Sequence, residues 1–119
     1  MTLTASVLHD DGLVLLALAG ELDAAVTDRV QETVDGVLAD GLVQVVVDLT
    51  GLEFCDSTGL GSLMRTHRLL TEAGGRCVVA GARGPVLRLL RLMSMERVLV
   101  LADDVGEALE TVRQDATGA

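Results

Sequence analysis

The chain contains no tryptophan or tyrosine, and Phe54 is its only aromatic residue. Proteins that bind single-stranded nucleic acid stack bases on aromatic side chains, which this sequence lacks. Lysine is also absent, so the nine basic residues are all arginine, and 18 acidic residues give a net charge of −9. Because nucleic-acid binders usually carry a basic field, we expect no nucleic-acid partner.

Cysteine is scarce, and Cys55 and Cys77 each lie in or beside an apolar run. A secreted, disulfide-rich domain of this length would usually carry more cysteines, so we expect buried free thiols in a reducing cytoplasm. The longest apolar run, residues 13–19, is too short to span a bilayer. Residues 1–12 lack the basic segment of a signal peptide. These features predict a cytoplasmic protein without a membrane segment.

The sequence also lacks the usual signatures of catalysis. There is no G-x-S-x-G elbow, no G-x-G-x-x-G loop and no lysine to complete a phosphate-binding P-loop. His9 lies in a predicted turn, and His67 lies ten residues after Ser57 on the same predicted helix, so neither is well placed as a base for that serine. We therefore predict no catalytic residue, no metal site and no cofactor.

At 119 residues the chain has room for one domain, spanning residues 1–119 with a frayed tail at 115–119. Its charge is uneven, because residues 65–97 contain seven of the nine arginines while residues 1–64 contain only Arg29. This arginine-rich segment is compatible with a partner surface or, as we favour, with the solvated face of helices.

Hydrophobic periodicity predicts the element order ββαβαβαβα. The predicted elements are strands 3–8 and 13–19 joined by an Asp-Gly turn, a helix capped by Asp23, strand 43–49, a loop at 50–56, a helix from Ser57 to about 73, strand 76–80, a helix from Pro85, strand 98–102 and a helix capped by Asp104. The apolar stripes place Leu60, Met64 and Met93 inward. Strands separated by single helices predict an α/β fold with a mixed, mostly parallel five-stranded sheet and about four helices.

The most informative stretch is Asp56-Ser57-Thr58-Gly59, which lies where a strand is predicted to give way to a helix. Function in open α/β sheets is found at such places. The serine or the aspartate could cap the helix, a contribution of about 1 kcal/mol. A nucleophilic serine is disfavoured by the missing base. A third interpretation is a phosphorylation switch, since a helix start tolerates a phosphate group. The cap and the switch both stay open.

Three segments resemble the STAS-domain anti-sigma factor antagonists of bacterial partner-switching pathways: residues 20–23 (GELD), 45–49 (VVVDL) and above all 54–61 (FCDSTGLG). The similarity implies the STAS fold and phosphorylation of Ser57 by an anti-sigma factor that is itself a serine kinase. It implies that the unphosphorylated form binds this anti-sigma factor and releases a sigma factor, and that a PP2C-type phosphatase restores it. Cys55 is a mild departure from the family pattern.

The same resemblance implies a partner-binding set of Asp56, Thr58, Gly59, Leu60 and Asp23 around the phosphorylated Ser57. We expect a non-enzymatic interaction protein that is a monomer or a weak dimer. The alternative is a STAS scaffold or regulatory subunit of a signalling complex without a direct sigma-factor target.

Overall fold

The computed structural model describes residues 3–117, with side chains described as far as Gln114. The elements are β1 (Leu3–Asp10), β2 (Leu13–Leu22), α1 (Thr27–Ala39), β3 (Gln44–Cys55), α2 (Ser57–Glu72), β4 (Arg76–Ala80), α3 (Gly84–Leu92), a 3₁₀ turn (Met95–Arg97), β5 (Val100–Ala102) and α4 (Val105–Thr117). The predicted order of strands and helices is confirmed. The first three residues of the predicted tail belong to α4, and residues 118 and 119 lie outside the described residues.

In the described part of the chain, five strands form one sheet in the order β1-β2-β3-β4-β5. β1 runs antiparallel to β2, and each later strand is parallel to its neighbour. The predicted mixed, mostly parallel sheet is therefore confirmed. The β1–β2 hairpin closes through Asp11 and Gly12, whose φ angles are +53° and +80°. Both residues of a two-residue type I′ turn need positive φ, which is why the Asp-Gly pair suits this position.

Strand alternation separates the core into two layers, one on each face of the sheet. On one face, Val45, Val47 and Leu49 of β3 pack in a cluster with buried residues of α1, α2 and α3. On the other face, Val46 packs with Val78, and with Ala108 and Val112 of α4. Within residues 3–117, α1, α2 and α3 therefore cover one face of the sheet and α4 covers the other. Because β2 to β5 are parallel, their carboxyl ends lie at a common edge.

β3 is longer than predicted, because residues 50–55 continue the strand where a loop was expected. Gly51 to Cys55 pair with Ala19 to Leu22 of β2, with register shifts between Ala17 and Ala19 and between Gly20 and Glu21. At these register shifts the two-residue alternation of buried and exposed side chains is interrupted, although the backbones of β2 and β3 remain paired. The prediction of a loop at 50–56 was wrong, and two strands extend together to the start of α2.

The predicted cap of α1 was also wrong. The helix begins at Thr27, and its N-cap position is Val26, which makes no side-chain cap bond. Asp23 instead closes a tight turn after β2, its Oδ1 accepting from the Ala25 N–H at 3.0 Å. An aspartate in this Asx-type turn has the same sequence signature as a helix cap.

Three smaller predictions differ from the structure. Met64 and Met93 were placed inward but are 36% and 51% exposed. The buried position on α2 is taken by Thr66, whose hydroxyl donates to the Ser62 carbonyl at 2.9 Å. The last strand begins at Val100, because Met95–Arg97 forms a 3₁₀ turn before it.

Candidate functional site

Asp56 caps helix α2 at the point where β3 ends. Its Oδ1 accepts from the Gly59 N–H at 2.8 Å, and its own N–H donates to the Leu22 carbonyl at 3.2 Å. Of the two candidate caps, the structure selects Asp56. Ser57 follows as the first residue of the helix and is exposed. The Asp56 carboxylate already fills the capping role, so α2 does not depend on the Ser57 hydroxyl for its N-terminal cap.

Gly59 and Leu60 lie beneath this turn and are both buried. A Cβ atom on Gly59 would lie 2.3 Å from the Leu22 carbonyl oxygen, so the first turn of α2 rests directly on the end of β2. Leu60 is 3% exposed and belongs to the core cluster between the sheet and the helices. Among the residues expected around the site, Ser57 and Thr58 are exposed, whereas Gly59 and Leu60 support the turn from below.

Asp23 lies on the neighbouring strand connection. Leu22 pairs with Cys55, so Asp23 and Asp56 each follow the last residue of adjacent parallel strands. The described side-chain bond of Asp23 goes to the Ala25 N–H within its own turn. The fold therefore brings Asp23 to the same edge of the sheet as Ser57, with its carboxylate engaged locally.

A shallow groove of about 220 Å³ runs between α1 and α2 beside this turn. It is lined by residues of both helices: Thr27, Asp28, Gln31, Thr58, Gly61, Ser62 and Arg65. Sequence reasoning missed the α1 contribution. The order of the elements could have predicted this contribution, because helices that connect neighbouring parallel strands on the same face of a sheet lie side by side.

Phe54 was also missed as a site residue. It is 46% exposed at the end of β3, where it pairs with Glu21. Aromatic side chains are enriched at protein interfaces. The one aromatic residue of the chain therefore lies in solvent within three residues of Ser57.

The thiol beside the site is not poised for chemistry. Burial, and then the nearby Asp56 carboxylate, raise the pKa of Cys55 to about 11. Burial raises the pKa of Cys77 to about 12. Since the thiolate is the reactive form, both cysteines are neutral near pH 7 and behave as small apolar side chains.

The comparisons with known proteins agree with this geometry. A STAS domain family model matches residues 4–108. An anti-sigma F factor antagonist from Paenibacillus polymyxa is 30% identical over 110 residues, which are 92% of this chain and 94% of the relative. The chain belongs to the STAS-domain family of anti-sigma factor antagonists. The resemblance to this family predicted from the sequence is thus confirmed.

Two further relatives of this STAS protein come from mycobacteria. The anti-sigma-F factor antagonist RsfB of Mycobacterium tuberculosis is 32% identical over 113 residues, covering 94% of this chain and 91% of the relative. The crystal structure of an anti-sigma factor antagonist from Mycobacterium paratuberculosis superposes with a TM-score of 0.84 at 30% identity, covering 94% and 95% of the two chains. The names of the curated relatives, as antagonists of anti-sigma factors, describe a regulatory role. Across residues 3–117, which the structure describes, no helix is both long and apolar enough to cross a membrane.

The cap of the STAS protein's α2 is testable by a matched pair of substitutions. Asp56→Ala removes the acceptor for the Gly59 N–H, so we expect a loss of about 1 kcal/mol in the free energy of unfolding. Asp56→Asn keeps an acceptor oxygen and should stay close to wild type. Urea denaturation monitored by circular dichroism measures both. If Ser57→Ala were the more destabilising change, Ser57 and not Asp56 would be the effective cap.

Proposed function

We propose that this STAS protein is an anti-sigma factor antagonist whose unphosphorylated form binds an anti-sigma factor and thereby releases a sigma factor. The observation that carries the proposal is the exposed Ser57 in the first turn of α2, next to a cap already formed by Asp56. The names of the relatives support the partner, because they are antagonists of anti-sigma factors.

Phosphorylation of Ser57 by the anti-sigma factor, acting as a serine kinase, would switch this binding off. A phosphate at a helix N-terminus meets the positive end of the helix dipole and unpaired backbone N–H groups, so it need not unfold α2. It adds up to about two negative charges beside the Asp56 carboxylate. The fold is therefore expected to persist while the surface changes from a neutral hydroxyl to a dianion.

The binding surface in this proposal centres on Ser57, Thr58 and Phe54, and extends along the groove between α1 and α2. Gly59 and Leu60 contribute by holding the turn in place, since both are buried. Asp56 shapes the turn through its cap, and Asp23 borders it from the neighbouring strand. Arg65 and Arg68 of α2 are exposed and could face acidic groups of the partner.

The resemblance to the family also supports a phosphatase partner and a location in the cytoplasm. A PP2C-type phosphatase would remove the phosphate and reset the switch. The protein itself would act in the cytoplasm as one domain, as a binding partner and kinase substrate and not as an enzyme, without a cofactor or a metal ion.

Mass spectrometry of the protein incubated with its cognate anti-sigma kinase and ATP tests the proposal. We expect one added phosphate, located on Ser57, in wild type and in Thr58→Ala, and none in Ser57→Ala. Thr58 is the matched control because it is the adjacent exposed hydroxyl. Phosphate on Thr58 alone, or none at all, would contradict the switch. Recovery in a very large assembly with no release of a sigma factor would favour a subunit of a signalling complex instead.

A further inference from the structure

The outer edge of β1 is one of the two open edges of the sheet. β1 is the terminal strand of the sheet and pairs with β2 along one side. Natural edge strands are usually protected by proline, charged side chains or bulges. Between Leu3 and His9 the strand has neither proline, glycine nor any carboxylate or arginine. Val7 is 44% exposed and Leu8 is 67% exposed.

The register of the hairpin determines which backbone groups point outward. A two-residue turn makes Asp10 and Leu13 the closing hydrogen-bonded pair, and hydrogen-bonded pairs alternate from there along the strands. Leu3, Ala5, Val7 and His9 therefore direct their N–H and C=O groups away from β2. The Leu3 carbonyl agrees with this direction, because it accepts from Arg29 Nη1 of α1 at 2.7 Å.

We propose that this edge binds the same edge of a second copy, with β1 pairing antiparallel to β1 about a two-fold axis at Val7. An edge strand offers donors and acceptors alternately, so its own copy rotated by the two-fold is complementary. The axis at Val7 places the exposed valine against its counterpart. Ala5 then pairs with His9 of the second copy, and the two sheets become continuous.

This register brings opposite charges together. Leu3 falls opposite Asp11 of the second copy, so Arg29, held at the Leu3 carbonyl, lies beside the acidic turn formed by Asp10 and Asp11. No two like charges are directly opposite, because Asp10 faces Thr4 of the second copy. Arg29 is the only basic residue among the first 64. In the proposed dimer, the positive charge of Arg29 thus lies near the negative charges of the second copy's Asp10–Asp11 turn.

The proposed pairing is separate from the Ser57 surface. Ser57 follows β3, which lies two strands inward from the β1 edge. The two-fold axis turns the carboxyl edges of the two sheets in opposite directions, so both copies keep Ser57 accessible. A failure of this inference would therefore leave the proposed function intact, and the reverse also holds.

Sedimentation equilibrium of the purified chain over a wide concentration range tests the pairing. We expect wild type to dimerise reversibly and Val7→Pro to dimerise at least about tenfold more weakly, because proline removes an outward N–H from each copy. The Val7 N–H has no partner within the hairpin, and proline is tolerated at such edge positions, so the fold should survive. Val7→Thr keeps the N–H and the branched shape and should still dimerise.

Cysteine cross-linking checks the register even if the proline variant misfolds. Directly opposite Cα atoms in a hydrogen-bonded pair lie about 5.5 Å apart, a separation that a short bis-maleimide reagent bridges. Val7→Cys should therefore form a covalent dimer with this reagent, whereas Thr4→Cys, displaced from the axis, should not. The native Cys55 and Cys77 are buried. A wild-type protein that stays monomeric at every concentration, an unchanged Val7→Pro dimer, or equal cross-linking of the two cysteine variants would overturn the proposal.

Discussion

Ser57→Asp is expected to weaken binding to the anti-sigma factor by about two orders of magnitude, because a buried, unpaired interfacial charge costs about 2–5 kcal/mol. The side chain is exposed in the first turn of α2 and lies next to the Asp56 carboxylate. A partner shaped for a neutral hydroxyl would have to desolvate the new carboxylate beside an existing one. Isothermal titration calorimetry with the purified anti-sigma factor measures the change.

The stability of the same variant should hardly change. An acidic side chain in the first turn of a helix is favourable to the helix dipole, and exposed substitutions usually stay within about 0.5 kcal/mol. Ser57→Ala removes the hydroxyl without adding charge and should keep most of the affinity. If Ser57→Asp lost binding only because it unfolded, its far-UV circular dichroism would change along with the affinity.

Gln114→Glu is the matched control for net charge. It adds the same single negative charge on α4, which packs on the opposite face of the sheet. We expect wild-type affinity for this variant. If Gln114→Glu lost as much affinity as Ser57→Asp, a general charge effect would replace the local switch. If Ser57→Asp retained wild-type affinity, the Ser57 surface would not be the binding site.

The fold could be predicted from hydrophobic spacing wherever that spacing was regular. The apolar run of β4 and the β-branched run of β3 up to Leu49 predicted strands correctly, and the apolar stripe of α4 predicted a helix correctly. The prediction failed at residues 50–55, where β3 shifts register against β2. The buried residues there, Leu52 and Cys55, are not spaced two apart, so the stretch does not show the period of a strand. Such irregular pairing depends on the neighbouring strand, which a single stretch of sequence does not reveal.

The position of the site was predictable from the sequence, but the role of each residue within it was not. Asp56 and Ser57 are both good capping residues, and only the backbone geometry, with Asp56 extended and Ser57 helical, assigns the cap to Asp56. Leu60 shows the opposite case. It was expected both on the inward stripe of α2 and in the partner-binding set, and its 3% exposure agrees with the stripe. Helical periodicity was the better guide there, because it reports burial directly.

Gly59 joins the site to the core. The Leu22 carbonyl oxygen is the atom that a Cβ on Gly59 would approach most closely, and the same carbonyl accepts from the Asp56 N–H at 3.2 Å. Leu22 itself is fully buried at the end of β2. The position of Ser57 in space therefore depends on how closely the first turn of α2 approaches β2, and only glycine permits the observed approach.

Gly59→Ala is accordingly expected to destabilise the protein by about 3 kcal/mol and to lower its melting temperature by roughly 10 °C. The added Cβ would meet the Leu22 carbonyl oxygen at 2.3 Å and the Leu22 Cγ at 2.9 Å. The obstacle is backbone, so a rotamer change cannot relieve it, and α2 must move away from β2. Thermal and urea denaturation measure the loss, and weaker anti-sigma binding should accompany it because Ser57 moves with the turn.

Gly61→Ala separates this steric effect from the ordinary cost of changing a helical glycine. Gly61 lies two residues further along α2 and would bring its Cβ into open space, with no neighbouring atom within 4 Å. Alanine is the better helix former, so this variant should gain roughly 0.5–1 kcal/mol. If Gly59→Ala lowers the free energy of unfolding while Gly61→Ala raises it, close contact with Leu22, and not helix propensity, explains why residue 59 is glycine. Two changes of the same sign would refute that explanation.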